Sequence, residues 1–256
     1  MTIRTADDLE GGQKLPDTHG AMFQITCERP WLVARFTRPQ TMVSWSLNRP
    51  GFVQAEQVAW LEVGNEELRH APDPVAWFAA RLAARGLADA VGLMTARDVS
   101  RYERQSAAVE DVRADCVVTL GLNNGERVGQ RVGAHLHPLN AGTINILCAV
   151  SEPLTEAALL EAASLVTQAR TVALSQVRYR RPGRTEAVTG TGTDCIVVSA
   201  PAGSPRTSFA GMHTAIGEVI GACVLRATLA AAANWCAEAP PDRFPRRSDG
   251  DGRHAV

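Results

Sequence analysis

The segment Thr189-Gly190-Thr191-Gly192-Thr193-Asp194 runs directly into Cys195-Ile196-Val197-Val198-Ser199-Ala200. Thr alternating with Gly in an extended segment carries three hydroxyls on one face and bare backbone on the other. Glycine weakens a strand interior, so two within six residues predict a use such as close approach by a ligand. The β-branched run after Asp194 then carries the segment into a core. Downstream, Gly211-Met212-His213-Thr214-Ala215-Ile216-Gly217-Glu218 opens a helix with a His and a Glu near its start. A phosphate-binding glycine loop leads from a strand into a helix and is served by a lysine. Here a β-like run follows and no lysine does, which argues against a nucleotide loop.

The chain has 256 residues, 45% of them apolar and 21% charged, with a formal net charge of −1. These are the values of a soluble globular protein. Near-neutral charge gives no electrostatic reason to expect nucleic acid or an anionic membrane as a partner. Lys14 is the single lysine, so Schiff-base and lysine-base chemistry have nowhere to occur in the body of the chain. The six cysteines, Cys27, Cys116, Cys148, Cys195, Cys223 and Cys236, form no C-x-x-C pair. Several lie in apolar runs and read as reduced thiols of a cytoplasmic protein. No signal-sequence pattern opens the chain. The longest apolar run, Val219 to Ala233, is interrupted by Arg226 and reads as a buried helix too short to span a bilayer.

Residues 1–20 read as a mobile leader and 239–256 as a disordered, breaker-rich tail, leaving 21–238 as one folded domain. Met22–Thr26, Trp31–Phe36 and Met42–Ser46 are expected to form a meander of short strands divided by Arg-Pro turns. Ala90–Thr95, Thr143–Val150 and Thr193–Ala200 are further strands. Ser106–Val112 and Cys116–Leu122 are expected to pair across Arg113-Ala114-Asp115. Three helices are expected: Pro74–Arg85 after Asp73, closing at Gly86; a long one capped by Thr155 and running to about Val177; and one from about His213 to Trp235. Gly217 and Gly221, four apart, leave room for another backbone. Strands mixed with three helices give a layered α/β or α+β domain, a mixed sheet packed by helices.

Several smaller constellations carry a chemical reading. His213 at a helix opening favours neutral imidazole, the form of a general base. Glu218 is five residues on, about 500° around the helix, so the two do not share a face. Thr143 and Asn145 point to one side of their strand and offer groups to orient an amide. In a strand, His135-Leu136-His137 would place two imidazoles on one face, but Pro138 and the flanking glycines point to a loop, and no third or fourth metal ligand accompanies them. Asn48 opens a turn signal at Asn48-Arg49-Pro50-Gly51. Asp98 stands at a strand end, either at a pocket rim or capping a helix.

The combination resembles the adenosylcobinamide amidohydrolase family. The matching pieces are Leu93–Val99, Gly142–Ile146, the helix ending Gln168–Leu174, Thr189–Asp194 and Gly211–Gly221, in order across most of 42–235. The family's helix reads Glu-Ala-Lys where this chain has Gln168-Ala169-Arg170. The resemblance implies hydrolysis of the amide joining the corrin side chain to aminopropanol, releasing adenosylcobyric acid for cobalamin salvage. The corrinoid, with its cobalt, is then substrate; no resident cofactor or metal is expected, and a homo-oligomer is compatible with this reading. On it, His213 serves as base for water or for Thr191 or Thr193 as nucleophile, and Asp194 orients the base or holds the leaving amine. Glu218 is a further proton-transfer candidate. Asn145 and the backbone at Gly190 or Gly192 bind the oxyanion, and Thr189, Gly142, Thr143, Asn48 and Asp98 complete the substrate-binding set. Thr189–Asp194, Thr143–Asn145 and His213 are expected to line one pocket. The alternative is a non-catalytic corrinoid-binding protein.

Overall fold

The computed structural model describes residues 20–64, 67, 71–130, 142–204 and 206–238. The expected leader and tail, and His135 and His137, thus lie outside the described residues, Gly20 and Glu238 bounding them. Strands β1 (Gln24–Glu28), β2 (Trp31–Ser44), β3 (Gly51–Glu62), β4 (Val91–Thr95), β5 (Glu103–Val109), β6 (Val112–Leu120), β8 (Ile144–Val150) and β10 (Cys195–Pro201) form one mixed sheet. Its order is β4-β3-β2-β10-β8-β6-β5, with β1 paired to β2. A separate two-stranded ribbon joins β7 (Gly125–Glu126) to β9 (Gly190–Thr191). The helices are α1 (Pro74–Ala84), α2 (Glu156–Val177) and α3 (Ala215–Glu238).

The layering follows from side-chain alternation. Cys116, Val118, Ile146, Cys148, Ile196 and Val198 face one way, against the buried stripes of α2 and α3. Their neighbours Val117, Leu147, Ala149 and Val197 face the other way, against Leu32, Met42, Trp60, Val91 and Leu93. The sheet therefore folds back over itself, and β4 at one edge lies across β8. Phe78 and Leu82 of α1 cover the outer side of the folded half, over Trp31, Val33 and Leu61. The result is an α+β single domain with helix, sheet, sheet and helix in turn.

The fold-over occurs within β2, where the register shifts between Arg35 and Gln40. The expected turn at Arg38-Pro39 is instead this irregularity inside one 14-residue strand. Proline lacks the N–H a regular ladder needs, so a break in the pairing is where a strand tolerates it. The Gln40 amide donates to the carbonyls of Arg38 (3.0 Å) and Pro39 (3.3 Å) there. β3 has no clear signal in the sequence: Gln54, Glu56 and Gln57 dilute its apolar pattern.

The β5–β6 hairpin turns at Glu110-Asp111, not at 113–115, with Val109 opposite Val112. Asp115, which reads as a turn residue, is fully buried in β6. It is held there by Arg104 (2.8 Å) and by the Met22 N–H (3.1 Å), which compensate the charge.

The helices start where their caps dictate. Asp73 accepts from Val75 N and Ala76 N, and Thr155 accepts from Ala158 N. Thr214 Oγ1 accepts from Gly217 N at 3.0 Å, so α3 begins after His213. Gly217 is required because a Cβ there would strike the Gly211 backbone, whereas a Cβ at Gly221 meets nothing within 4 Å. Only the first glycine of the pair admits a neighbouring backbone. α3 also exceeds the apolar run read from sequence; at 24 residues it is long and apolar enough to cross a membrane. In this fold it packs on α2, β5 and β6 as a core helix. Cys116 and Cys148 are cross-strand neighbours buried under Cys223, all three free thiols.

Candidate active site

β8 and β10 run parallel and begin side by side. Asp194 immediately precedes β10 and Thr143 immediately precedes β8. The beginnings of the two strands are latched together: Thr143 Oγ1 donates to Thr193 O at 2.8 Å, and Thr193 Oγ1 donates to Gly142 O at 3.3 Å. Gly142 lets the crossing close, since a Cβ there would lie 2.8 Å from Gly121 O and 2.9 Å from Asn123 N.

Asp194 is the centre of this arrangement. Its carboxylate accepts from Thr191 N (3.1 Å), Ile144 N (3.2 Å), the Thr191 hydroxyl and the Arg170 guanidinium. The side chains of Arg170 and Asp194 are 12% and 9% exposed, so this ion pair is buried. Burial pushes the Asp194 carboxyl above its ordinary range. Arg170, the Thr191 hydroxyl and the two amides oppose that rise by favouring the charged form. Gly190 is obligatory beside them: a Cβ there would stand 2.8 Å from Asp194 Oδ2 and 3.3 Å from Arg170. A Cβ at Gly192 meets only Glu126 Cγ, at 4.0 Å.

The Thr/Gly segment is thus not one extended ladder. Only Gly190–Thr191 is strand, and the chain then turns so that Asp194 reaches back to Thr191. The three hydroxyls serve three partners. Thr189 Oγ1 accepts from Val128 N (2.8 Å), Thr191 donates to Asp194, and Thr193 holds Gly142. Asn124 Nδ2 also approaches Thr193 Oγ1, at 3.5 Å.

Asn145 lies close by but is turned away. It is in register with Cys195, one residue past Asp194, and its Nδ2 donates to Met94 O of β4 at 2.7 Å. The expected oxyanion role is therefore replaced by a clamp between the sheet layers. Asn48 clamps the other end of β4, donating to Ala90 O (2.8 Å) and accepting from Gly92 N (2.9 Å). Asp98 caps the short 3-10 turn Val99–Arg101 and pairs with Arg29 at 3.2 Å. Of a pocket rim and a helix cap, it is the cap.

His213 is not part of this centre. The loop from β10 to α3 pairs with the segment after β8, through Thr155 N to Thr207 O (3.0 Å). Ala210 N is held by Glu161 at the front of α2 (2.7 Å). The other end of α3 returns to the Asp194 side, where Glu238 meets Arg97 at 2.5 Å and Arg97 lies beside Gly121, whose N–H donates to Thr143 O at 2.9 Å. His213 therefore lies toward the end of β10 opposite Asp194, a strand of seven residues and about 20 Å. The single pocket and the His213–Asp194 proton-transfer pair are both overturned by this topology. Glu218, exposed one turn into α3, is at the His213 end as well, and no hydrogen bond joins the two among the described residues.

Two participants escape a reading of the sequence. Arg170 is the single cation in α2, and its place beside the buried Ala169–Ala173 stripe is the available signal. Gln168, the more conspicuous departure from the family pattern, is exposed and bonds Ser164 Oγ at 3.2 Å. Trp45 is the other: its indole N–H donates to Asp194 O at 2.7 Å. A shallow groove lined by Gly125, Arg127, Arg181, Arg184, Glu186 and Val188 borders the β7–β9 ribbon without including Asp194. Among the described residues, no group of three or more His, Cys, Asp or Glu is placed to hold a metal ion.

The model of the adenosylcobinamide amidohydrolase family matches residues 15–240, most of the chain. The chain belongs to that family. The Asp194 centre is the part of the family's sequence pattern that the fold gathers into one place. A curated protein of Methanocaldococcus jannaschii, MJ1613, is 37% identical over 91 residues, 35% of this chain and 35% of that protein. The match thus spans about a third of that relative's length. Among solved structures, the PH0078 protein from Pyrococcus horikoshii OT3 aligns with a TM-score of 0.43 and 10% identity, covering 78% of this chain and 76% of its own. A β-aminopeptidase from Burkholderia sp. aligns at 0.39 and 16%, covering 78% of each chain. An L-aminopeptidase D-Ala-esterase/amidase from Ochrobactrum anthropi aligns at 0.37 and 15%, covering 82% of each.

Proposed function

We propose that this chain hydrolyses the amide between the corrin side chain and aminopropanol in adenosylcobinamide, releasing adenosylcobyric acid for cobalamin salvage in the cytoplasm. The substrate brings its own cobalt. Family membership supplies the reaction class. The observation that carries the mechanism is the hydrogen bond from the Thr191 hydroxyl to the buried carboxylate of Asp194.

A threonine hydroxyl needs a base to become a nucleophile. Asp194 is aligned to take that proton, and its raised pKa makes it a stronger acceptor than an exposed aspartate. As Thr191 Oγ1 bonds to the amide carbon, its proton passes to Asp194. The backbone N–H of Gly192, in the exposed turn, is offered to the oxyanion. Collapse breaks the C–N bond, and Asp194 returns the proton to the departing aminopropanol nitrogen. Water then gives a proton to Asp194 and its oxygen to the acyl carbon, and the C–O bond to Thr191 breaks as the hydroxyl is reprotonated. Arg170 stays paired throughout and holds the carboxylate in place.

Incubation with adenosylcobinamide, followed by chromatography for adenosylcobyric acid and free aminopropanol, tests the reading. Both products appear with the native chain and are lost with Asp194→Asn. Tight corrinoid binding with no aminopropanol released overturns it in favour of a non-catalytic corrinoid-binding protein.

A further inference from the structure

Hairpin residues between two strands are ordinarily polar, because nothing covers them. The hairpin joining β2 to β3 departs from this. Trp45 is 51% exposed, Leu47 47% and Phe52 38%. Three large apolar side chains thus stand exposed within eight residues, and apolar side chains gathered at a surface mark binding sites. They do not belong to the core clusters.

The hairpin is also held rigidly. Asn48 ties it to both Ala90 and Gly92. Arg49 donates to Asp89 O and, at 3.0 Å, to Gln54 O. Ser46 N donates to Ser44 Oγ at 3.1 Å. The patch abuts the Asp194 centre directly, since the Trp45 indole N–H is anchored on the Asp194 carbonyl. That bond fixes the indole plane and leaves much of the ring uncovered.

We infer that Trp45, Leu47 and Phe52 form the platform on which the corrin macrocycle of the substrate rests while its amide arm reaches Thr191 and Asp194. A corrin is a large, flat, conjugated ring whose faces are apolar and whose polar amides lie around its rim. An immobilised indole with two flanking apolar groups matches such a face at little entropic cost. The assignment rests on the proposed reaction for the identity of the ring. It adds where the ring sits and which residues set affinity without taking part in bond making.

The test uses Leu47→Ser and Phe52→Ser, neither of which touches Asp194, together with Trp45→Ala. Binding of dicyanocobinamide and of dicyanocobyric acid is measured by equilibrium dialysis, read by corrin absorbance. The native chain binds both, since the platform contacts the ring and not the aminopropanol arm. Each variant weakens binding by about tenfold, the size expected for truncating one apolar anchor. For Leu47→Ser and Phe52→Ser, the KM for adenosylcobinamide rises by a similar factor while kcat holds. Native binding and native KM in all three variants overturn the platform and leave the proposed reaction standing. A native chain that binds neither corrinoid overturns both readings. Variants that alter only the oligomeric state assign the patch to a second copy of this chain and overturn the docking of the ring.

Discussion

Arg170 of α2 and Asp194 at the start of β10 form a buried ion pair that fastens the helix layer to one end of a central strand of the sheet. The pair does more than join two elements. It holds a carboxylate under a threonine hydroxyl at the point where two parallel strands begin. Removing one member leaves the other charge buried and uncompensated. Arg170→Ala is expected to cost about 3–5 kcal/mol of stability by chemical denaturation, with Arg170→Lys recovering much of it.

The electrostatics of the pair set a pH dependence. Asp194 must be ionised to accept a proton, so turnover falls as pH drops through its pKa. Burial raises that pKa above the ordinary aspartate value, and Arg170 opposes the rise. The acidic limb of the kcat profile is therefore expected above the usual aspartate range. In Arg170→Gln, where the opposing charge is gone, the limb moves further toward neutral pH. A pH-rate series on the two proteins checks both the position and the direction.

Gly190 and Gly192 look equivalent in sequence but differ in space. Gly190→Ala pushes a methyl into the Asp194–Arg170 pair and is expected to lower turnover at least about tenfold, since misplacing a positioned group by a few tenths of an ångström or more is costly. Gly192→Ala, with open space around it, retains near-native turnover. Steady-state kinetics on the two single variants suffice.

The hydroxyl at 191 is assigned as the nucleophile. Thr191→Val is expected to lower kcat by about two to four decades, in the range attributed to a positioned proton-transfer pair, while Thr191→Ser retains measurable turnover. His213→Ala and Gln168→Glu are the contrasting substitutions. Both positions are exposed, and neither reaches Asp194. Their turnover should match the native chain, and a large loss in His213→Ala would return the histidine to the mechanism.

Cys195 adjoins Asp194 and invites confusion with a nucleophile. Burial pushes its thiol up to about 11, against the hydrogen bond it shares with Ser44. At pH 8 only about one molecule in a thousand carries the thiolate. Iodoacetamide at that pH is expected to label exposed Cys27 first and to leave turnover unchanged. Mass spectrometry of the labelled protein, run beside the activity assay, distinguishes the two sites.

The sequence by itself determined the helices, most of the strands and the family to which the chain belongs. Asp73, Thr155 and the Gly86 stop are local signals that act within one turn, so they read directly from the chain. The apolar periods of α2, β8 and β10 read equally well, and the Thr/Gly/Asp motif carries the aspartate of the buried Asp194–Arg170 pair. Three things were decided only in three dimensions. The Arg38-Pro39 step became a break inside β2 because β3 and β10 pair along its two sides, which no local propensity encodes. Asp115 became a core residue because Arg104 and the Met22 amide meet its charge. His213 and Asp194, nineteen positions apart and both suited to proton transfer, ended at opposite ends of β10. β10 carries the chain from Asp194 to the opposite end of the strands before α3 begins, so chemical aptitude and closeness in sequence do not translate into contact. Arg170, 24 positions before Asp194, meets it because α2 runs back along β8 for just the length that brings the two to the same end.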